Sequence, residues 1–206
     1  MSAQNPLRFL ALGDSYTIGE AVLEEERWPM QLKVLMNESG IDIDTPEIIA
    51  TTGWTTDELQ AAINERIPQG PYDLVSLLIG VNNQYRAYPI ENYEKEFEHL
   101  LQQAIAYANG NSNKVVVVSI PDWGVTPFAA DRDRAQIAKE IDVFNASNKA
   151  ISKKYAVHYV DITPGSRDAV TAVDLVAIDG LHPSGKEYSK WANAVFMEMK
   201  REFESK

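Results

Sequence analysis

The sequence predicts an α/β protein: a three-layer α/β/α sandwich around a five-stranded parallel sheet, flavodoxin-like in plan. Two observations carry this. Short apolar runs alternate with amphipathic stretches of helical period, the pattern of βαβ units and right-handed crossovers. The most apolar runs, Tyr72 to Ile79 and Val115 to Ile120, lack the polar alternation of a half-exposed strand and read as covered on both faces.

Each element has its own warrant. Leu7 to Leu12 reads as the first strand and stops at Gly13-Asp14-Ser15. Trp28-Pro29 opens a helix over Leu32, Leu35 and Met36, because proline suits a first helical turn. Glu47 to Ala50 is a short second strand, followed by Thr51-Thr52-Gly53-Trp54. Thr55-x-x-Glu58 has the capping-box pattern, and Leu59, Ile63 and Ile67 space the next helix at i, i+4 and i+8. The third strand ends at Gly80-Val81-Asn82-Asn83. A long helix follows, with Phe97, Leu100, Leu101, Ala104, Ile105 and Ala108 on one stripe. The fourth strand closes in Pro121-Asp122-Trp123-Gly124. Ile137, Ile141, Phe144 and Ile151 mark a helix from about Asp131 to Tyr155, before a fifth strand from Val157 to Ile162. Thr163 to Pro183 reads as a surface loop. Ser184-x-x-Glu187 caps a last helix striped by Tyr188, Trp191, Ala192, Val195 and Met199.

The 206 residues, 45% hydrophobic, suit one domain spanning 1–206. Cysteine is absent, which excludes a disulfide framework, a thiolate nucleophile and thiolate-bound metals. A net charge of −11 repels polyphosphates, so nucleic acid is not an expected partner, and it disfavours anionic lipid surfaces. No apolar run reaches the ~20 residues of a membrane helix. Met1 to Leu7 shows no signal-peptide pattern, so a cytoplasmic location is expected, or a secreted one if a leader has been removed. Glu24-Glu25-Glu26 reads as a solvated loop, not a metal site, since no further ligand sits at suitable spacing.

In an open parallel sheet, ligands bind beyond the carboxyl ends of the strands. Ser15, Gly53, Asn82 and Trp123 all follow strand ends, and so share that edge. Ser15 fits two roles, a helix N-cap or a nucleophile activated by a base. Of the three histidines, His99 on the long helix reads as a surface or boundary residue, and His158 in the fifth strand reads as structural. His182 sits in Asp179-Gly180-Leu181-His182-Pro183, again on the loop edge. A turn of that length can fold the Asp179 carboxylate onto the imidazole and leave its other nitrogen as an acceptor, as in a Ser-His-Asp triad. It fits equally an Asp-Gly turn before a helix start.

Taken together, Gly13-Asp14-Ser15, Gly53, Gly80-x-Asn82 and Asp179-x-x-His182 resemble the four blocks of the SGNH (GDSL-type) hydrolases, in order and over nearly the whole chain. The resemblance implies a serine esterase or acyl hydrolase of three-layer fold, with no cofactor, no metal and a small-molecule ester as its substrate. It implies Ser15 as nucleophile, His182 as base, Asp179 as its orienting acid, and an oxyanion hole from Ser15, Gly53 and Asn82. Trp54 and Trp123, each just past a strand end, are the expected pocket walls, with Tyr85, Tyr88 and Phe128 nearby. One departure stands out: Asn83 occupies a place where the family often has Asp. An acyltransferase using the same triad fits these residues too. So does a non-catalytic flavodoxin-like binding domain contacting FMN or phosphate through Thr51, Thr52 and Thr55, although no Gly-rich phosphate loop is present. Oligomeric state is left open.

Overall fold

A computed structural model describes residues 5–204. Its sheet has five parallel strands: β1 (Phe9–Gly13), β2 (Glu47–Ala50), β3 (Leu74–Leu78), β4 (Val115–Val118) and β5 (His158–Val160). Their order is β2-β1-β3-β4-β5, the doubly wound, flavodoxin-like order that the alternating pattern predicts. The strands are shorter than the apolar runs suggested, because the run ends leave the ladder and become the loops that carry polar side chains.

Nine helices are described. They are α1 (Ser15–Ile18), α2 (Trp28–Glu38), α3 (Thr56–Arg66), α4 (Val81–Tyr85), α5 (Ile90–Tyr107), α6 (Arg134–Lys154), α7 (Thr163–Ser166), α8 (Gly185–Met199) and α9 (Arg201–Glu204). One layer pairs α2 with α8, and the other packs α5 against α3 and α6. Every residue of β1, β3 and β4 is buried, as their unbroken apolar character requires. Leu10, Leu12, Leu77, Val116 and Val117 are fully enclosed, as are Trp28, Tyr93 and Trp191 from the helical layers.

Two sequence expectations need correction. Ile67 does not continue the apolar stripe of α3. It is the left-handed C-cap, with φ 47° and 63% exposed, so the helix ends before its third apolar position. The stretch from Thr163 to Pro183 is not a plain loop. It holds α7, 3₁₀ turns at 167–170 and 173–175, and a bridge between Val176 and Pro183. Among the described residues no helix is long and apolar enough to cross a membrane.

Strand order and register fix where a ligand can sit. The chain leaves β1 for β2 on one side and later returns to β3 on the other, so the β1/β3 boundary is the point where the winding reverses. Gly13 pairs with Ala50 on one flank and Leu78 on the other, so the loops after β1, β2 and β3 emerge at one level. A side chain at Gly13 would strike Thr17 Oγ1 at 2.2 Å and the Leu78 carbonyl at 2.6 Å, which explains why the turn begins with glycine.

Candidate active site

Asp14, not Ser15, caps α1: its Oδ1 accepts the Tyr16 N–H at 3.0 Å. The capping role that sequence left open for Ser15 is therefore filled by its neighbour. Ser15 opens the helix, where a backbone N–H has no intrahelical acceptor. Its side chain lines a cavity of about 150 Å³ together with Tyr16, Val81, Asn82, Tyr85, Trp123, Phe128, Leu181 and His182. Residues from four separate loops thus meet on one wall-to-wall space at the β1/β3 boundary.

His182 is 6% exposed and fixed on two sides. Its Nδ1 lies 2.6 Å from Asp179 Oδ2, while Asp179 Oδ1 accepts the backbone N–H groups of Leu181 and His182, each at 3.0 Å. The Asp-Gly turn is therefore also the carboxylate–imidazole couple. Partial burial pushes the Asp179 carboxyl up, but the bonds from His182 and the two backbone amides outweigh it and hold it below the usual carboxylate range. The Tyr16 ring packs 5.2 Å from the imidazole, at 54°, and stacks on Trp191 behind it. Burial, then the charges of Asp14, Asp179 and Asp122, keep the Tyr16 phenol protonated.

Asn82 stands across from this pair on α4. Its Nδ2 donates to the Trp54 carbonyl at 2.9 Å, with a longer contact of 3.4 Å to Asp14 Oδ2. Both amide hydrogens thus have an acceptor, the Trp54 carbonyl held closely and the Asp14 carboxyl more loosely. Gly53 is not one of the lining residues. It lies one position before Trp54, with φ 87°, a value that few residues besides glycine tolerate. The Arg86 guanidinium bonds its carbonyl at 2.6 Å.

Trp54 does not line the cavity, contrary to expectation: its ring packs against the hydrophobic core, and only its carbonyl serves the site. Tyr88 likewise faces a separate groove between the α4–α5 connection and α6. Trp123 does line the cavity, with its indole N–H on Gln84 Oε1 at 2.7 Å and its ring edge-on to Tyr85 and Phe128. Gln84 is in turn held by Glu140 at 2.7 Å. His99 is exposed beside Gln103, and His158 pairs with Glu198 at 2.7 Å on the far layer, both away from the cavity.

Asn83 has a clear structural use. It is fully buried, its Oδ1 accepts the Thr56 N–H at 3.1 Å, and its Nδ2 donates to Thr56 Oγ1 at 2.7 Å. The Thr56 hydroxyl in turn donates to Glu96. A carboxylate at position 83 has no hydrogen to give and would compete with Glu96 for the hydroxyl proton. The amide suits a site whose negative charge sits one residue further out, on α5.

Sequence reasoning passed over Asp14 as a chemical group. It is fully buried; burial, against the pull of the Tyr16 N–H and the Asn82 amide, raises its carboxyl from 3.8 to about 7. The folded state therefore keeps a proton that the unfolded chain releases above about pH 4, so this residue makes stability fall as pH rises from about 4 to 7. A displacement of that size corresponds to about 4 kcal/mol across the window. Asp14→Asn should remove this slope. Denaturant unfolding at pH 4.5 and 7 should show wild type losing stability relative to the variant by up to that amount; parallel pH dependences would contradict it.

The comparisons with known proteins bear on what such a site does. The sequence pattern of the GDSL-like Lipase/Acylhydrolase family matches residues 11–190. The chain belongs to this family. It is a carboxylic ester hydrolase by that membership, and its five-stranded parallel sheet is the fold of the solved members. The psychrotrophic esterase EstA from Pseudoalteromonas sp., inhibited by monoethylphosphonate, superposes with a TM-score of 0.72 at 18% identity, over 96% of this chain and 99% of that one. The lipase/acylhydrolase from Enterococcus faecalis gives 0.70 at 19%, over 97% and 99%. Axe2, an acetylxylan esterase from Geobacillus stearothermophilus, gives 0.70 at 18%, over 97% and 96%. No curated protein matches by sequence.

Proposed function

We propose that this GDSL-type hydrolase cleaves esters of short acyl groups through an acyl-enzyme on Ser15. The observation that carries the reading is the Asp179–His182 couple, at 2.6 Å, on the wall of the cavity that also holds Ser15 and Asn82. In this reading Ser15 Oγ attacks the ester carbonyl and its proton passes to His182 Nε2. Asp179 keeps the imidazole proton on Nδ1 and stabilises the imidazolium. The oxyanion takes hydrogen bonds from the backbone N–H groups of Ser15 and Gly53 and from the Asn82 amide, which exchanges its long 3.4 Å bond to Asp14 Oδ2 for the developing charge. Collapse breaks the C–O bond, and the leaving alkoxide takes the proton from His182. Water then attacks the acyl-enzyme by the same route and frees the acid.

The acyl group is assigned to the space between Val81, Tyr85, Trp123, Phe128 and Leu181. It is apolar, and Trp123 cannot swing aside without breaking its bond to Gln84. A cavity of about 150 Å³ is of the size that takes a single benzene ring, about six carbons. With p-nitrophenyl esters, kcat/KM should therefore peak between acetyl and butyryl and fall at least tenfold by octanoyl. A profile still rising at octanoyl would contradict the short-acyl assignment. Axe2 is named for acetylated xylan, which accords with a small acyl group here.

A further inference from the structure

Beyond Asn82 on α4, the residue that caps the C-terminus of that helix, Arg86, also bears on the site. Asn82 and Arg86 stand four residues apart, on one face, and both reach the loop after β2. Asn82 Nδ2 bonds the Trp54 carbonyl at 2.9 Å and Arg86 Nη2 bonds the Gly53 carbonyl at 2.6 Å. Arg86 Nη1 is anchored by Glu58 Oε1 at 3.2 Å, and the other oxygen of that carboxylate accepts the Thr55 N–H at 2.9 Å. Asn83 adds its bond to the Thr56 N–H. Four consecutive residues, Gly53 to Thr56, are thus laced to α4, to its C-cap Arg86 or to the Glu58 that Arg86 holds.

We infer that Arg86 is a positioning residue that fixes Gly53 relative to Asn82 and so sets the spacing of the oxyanion hole. The inference rests on the acyl-enzyme reading above. Gly53 has the widest conformational freedom of any residue type, and it sits in a loop whose first two residues, Thr51 and Thr52, are exposed. Left alone, its two peptide planes can rotate, and a donor displaced by even 1 Å gives up much of its effect on the transition state. A guanidinium on its carbonyl makes a charge-assisted bond, the stronger kind, to the peptide group adjoining the donor. The planar fork explains why arginine is used: one nitrogen holds Gly53 while the other stays on Glu58. Arg86 is itself exposed and need not touch substrate.

The test compares Arg86→Gln, Arg86→Ala and Arg86→Lys on p-nitrophenyl butyrate, alone and in an Asn82→Ala background, with Ser15→Ala assayed in parallel. Gln and Ala should lower kcat about 10- to 100-fold, the size expected for one hydrogen bond to a charged group, with KM within about twofold. Lysine keeps the charge but lacks the planar fork that spans both acceptors, so it should fall between. Added guanidinium should raise kcat of the Arg86→Ala variant. In the Asn82→Ala background the further loss should shrink to about threefold or less, because the hole is already broken. Wild-type kcat in the Gln and Lys variants would overturn the inference, as would a loss undiminished in the Asn82→Ala background. If Ser15→Ala retained activity, the acyl-enzyme reading would fail instead, whatever Arg86 does.

Discussion

Ser15→Ala should reduce ester hydrolysis by about 10⁴–10⁶-fold, measured as kcat on p-nitrophenyl butyrate. The magnitude follows from the loss of the covalent route: without Oγ no acyl-enzyme forms, and only the oxyanion donors and the bound geometry remain to favour direct attack by water. Folding should be little affected. Ser15 does not cap its helix, since Asp14 does, and its side chain borders a cavity rather than filling the core. A variant with wild-type thermal unfolding and no turnover is therefore expected. One with wild-type turnover would remove the serine from the chemistry.

Asp179→Asn should cost about 10⁴-fold in kcat. The reason lies in how completely the carboxylate is used as an acceptor: one oxygen takes two backbone N–H groups and the other faces His182 Nδ1. An asparagine keeps its carbonyl on the backbone amides and turns its NH₂ toward the imidazole. That donor forces Nδ1 to act as acceptor and moves the ring proton to Nε2, where it can no longer receive a proton from Ser15. The turn itself survives, because its two backbone bonds need only one oxygen. A fully active Asp179→Asn enzyme would mean that the tautomer is set by something else. The carboxyl also adds acid sensitivity: held below its usual range, it contributes stability that is present above about pH 4 and lost as pH falls further.

The plan of the fold was legible in the sequence because burial on both faces leaves an unmistakable run. Val115 to Val118 can hardly be anything but an interior strand, and the stripe from Phe97 to Ala104 can hardly be anything but a buried helix face. The helix caps at Ser184 and Thr55 were legible because they are local chemistry. So was the approach of Asp179 to His182, which are three residues apart on one turn. What stayed hidden depends on contacts between distant positions. Whether Trp54 gives its ring or its carbonyl to the site is decided by the core against which the ring packs and by Asn82, 28 residues later. The use of an amide at Asn83 depends on Glu96 being within reach of the same threonine. Arg86 was foreseeable in part, since its i, i+4 relation to Asn82 across a short helix and its C-cap puts both on one face, but nothing local names the Gly53 carbonyl as its target.

The claim on which the account turns is that the Ser15 hydroxyl works against His182. Active-site-directed labelling with a fluorophosphonate, followed by peptide mass mapping, addresses it most directly. One adduct per chain, located on Ser15 and formed at least a hundredfold more slowly in His182→Ala, is the predicted result. An adduct on another residue, or equal labelling rates with and without the imidazole, would contradict it.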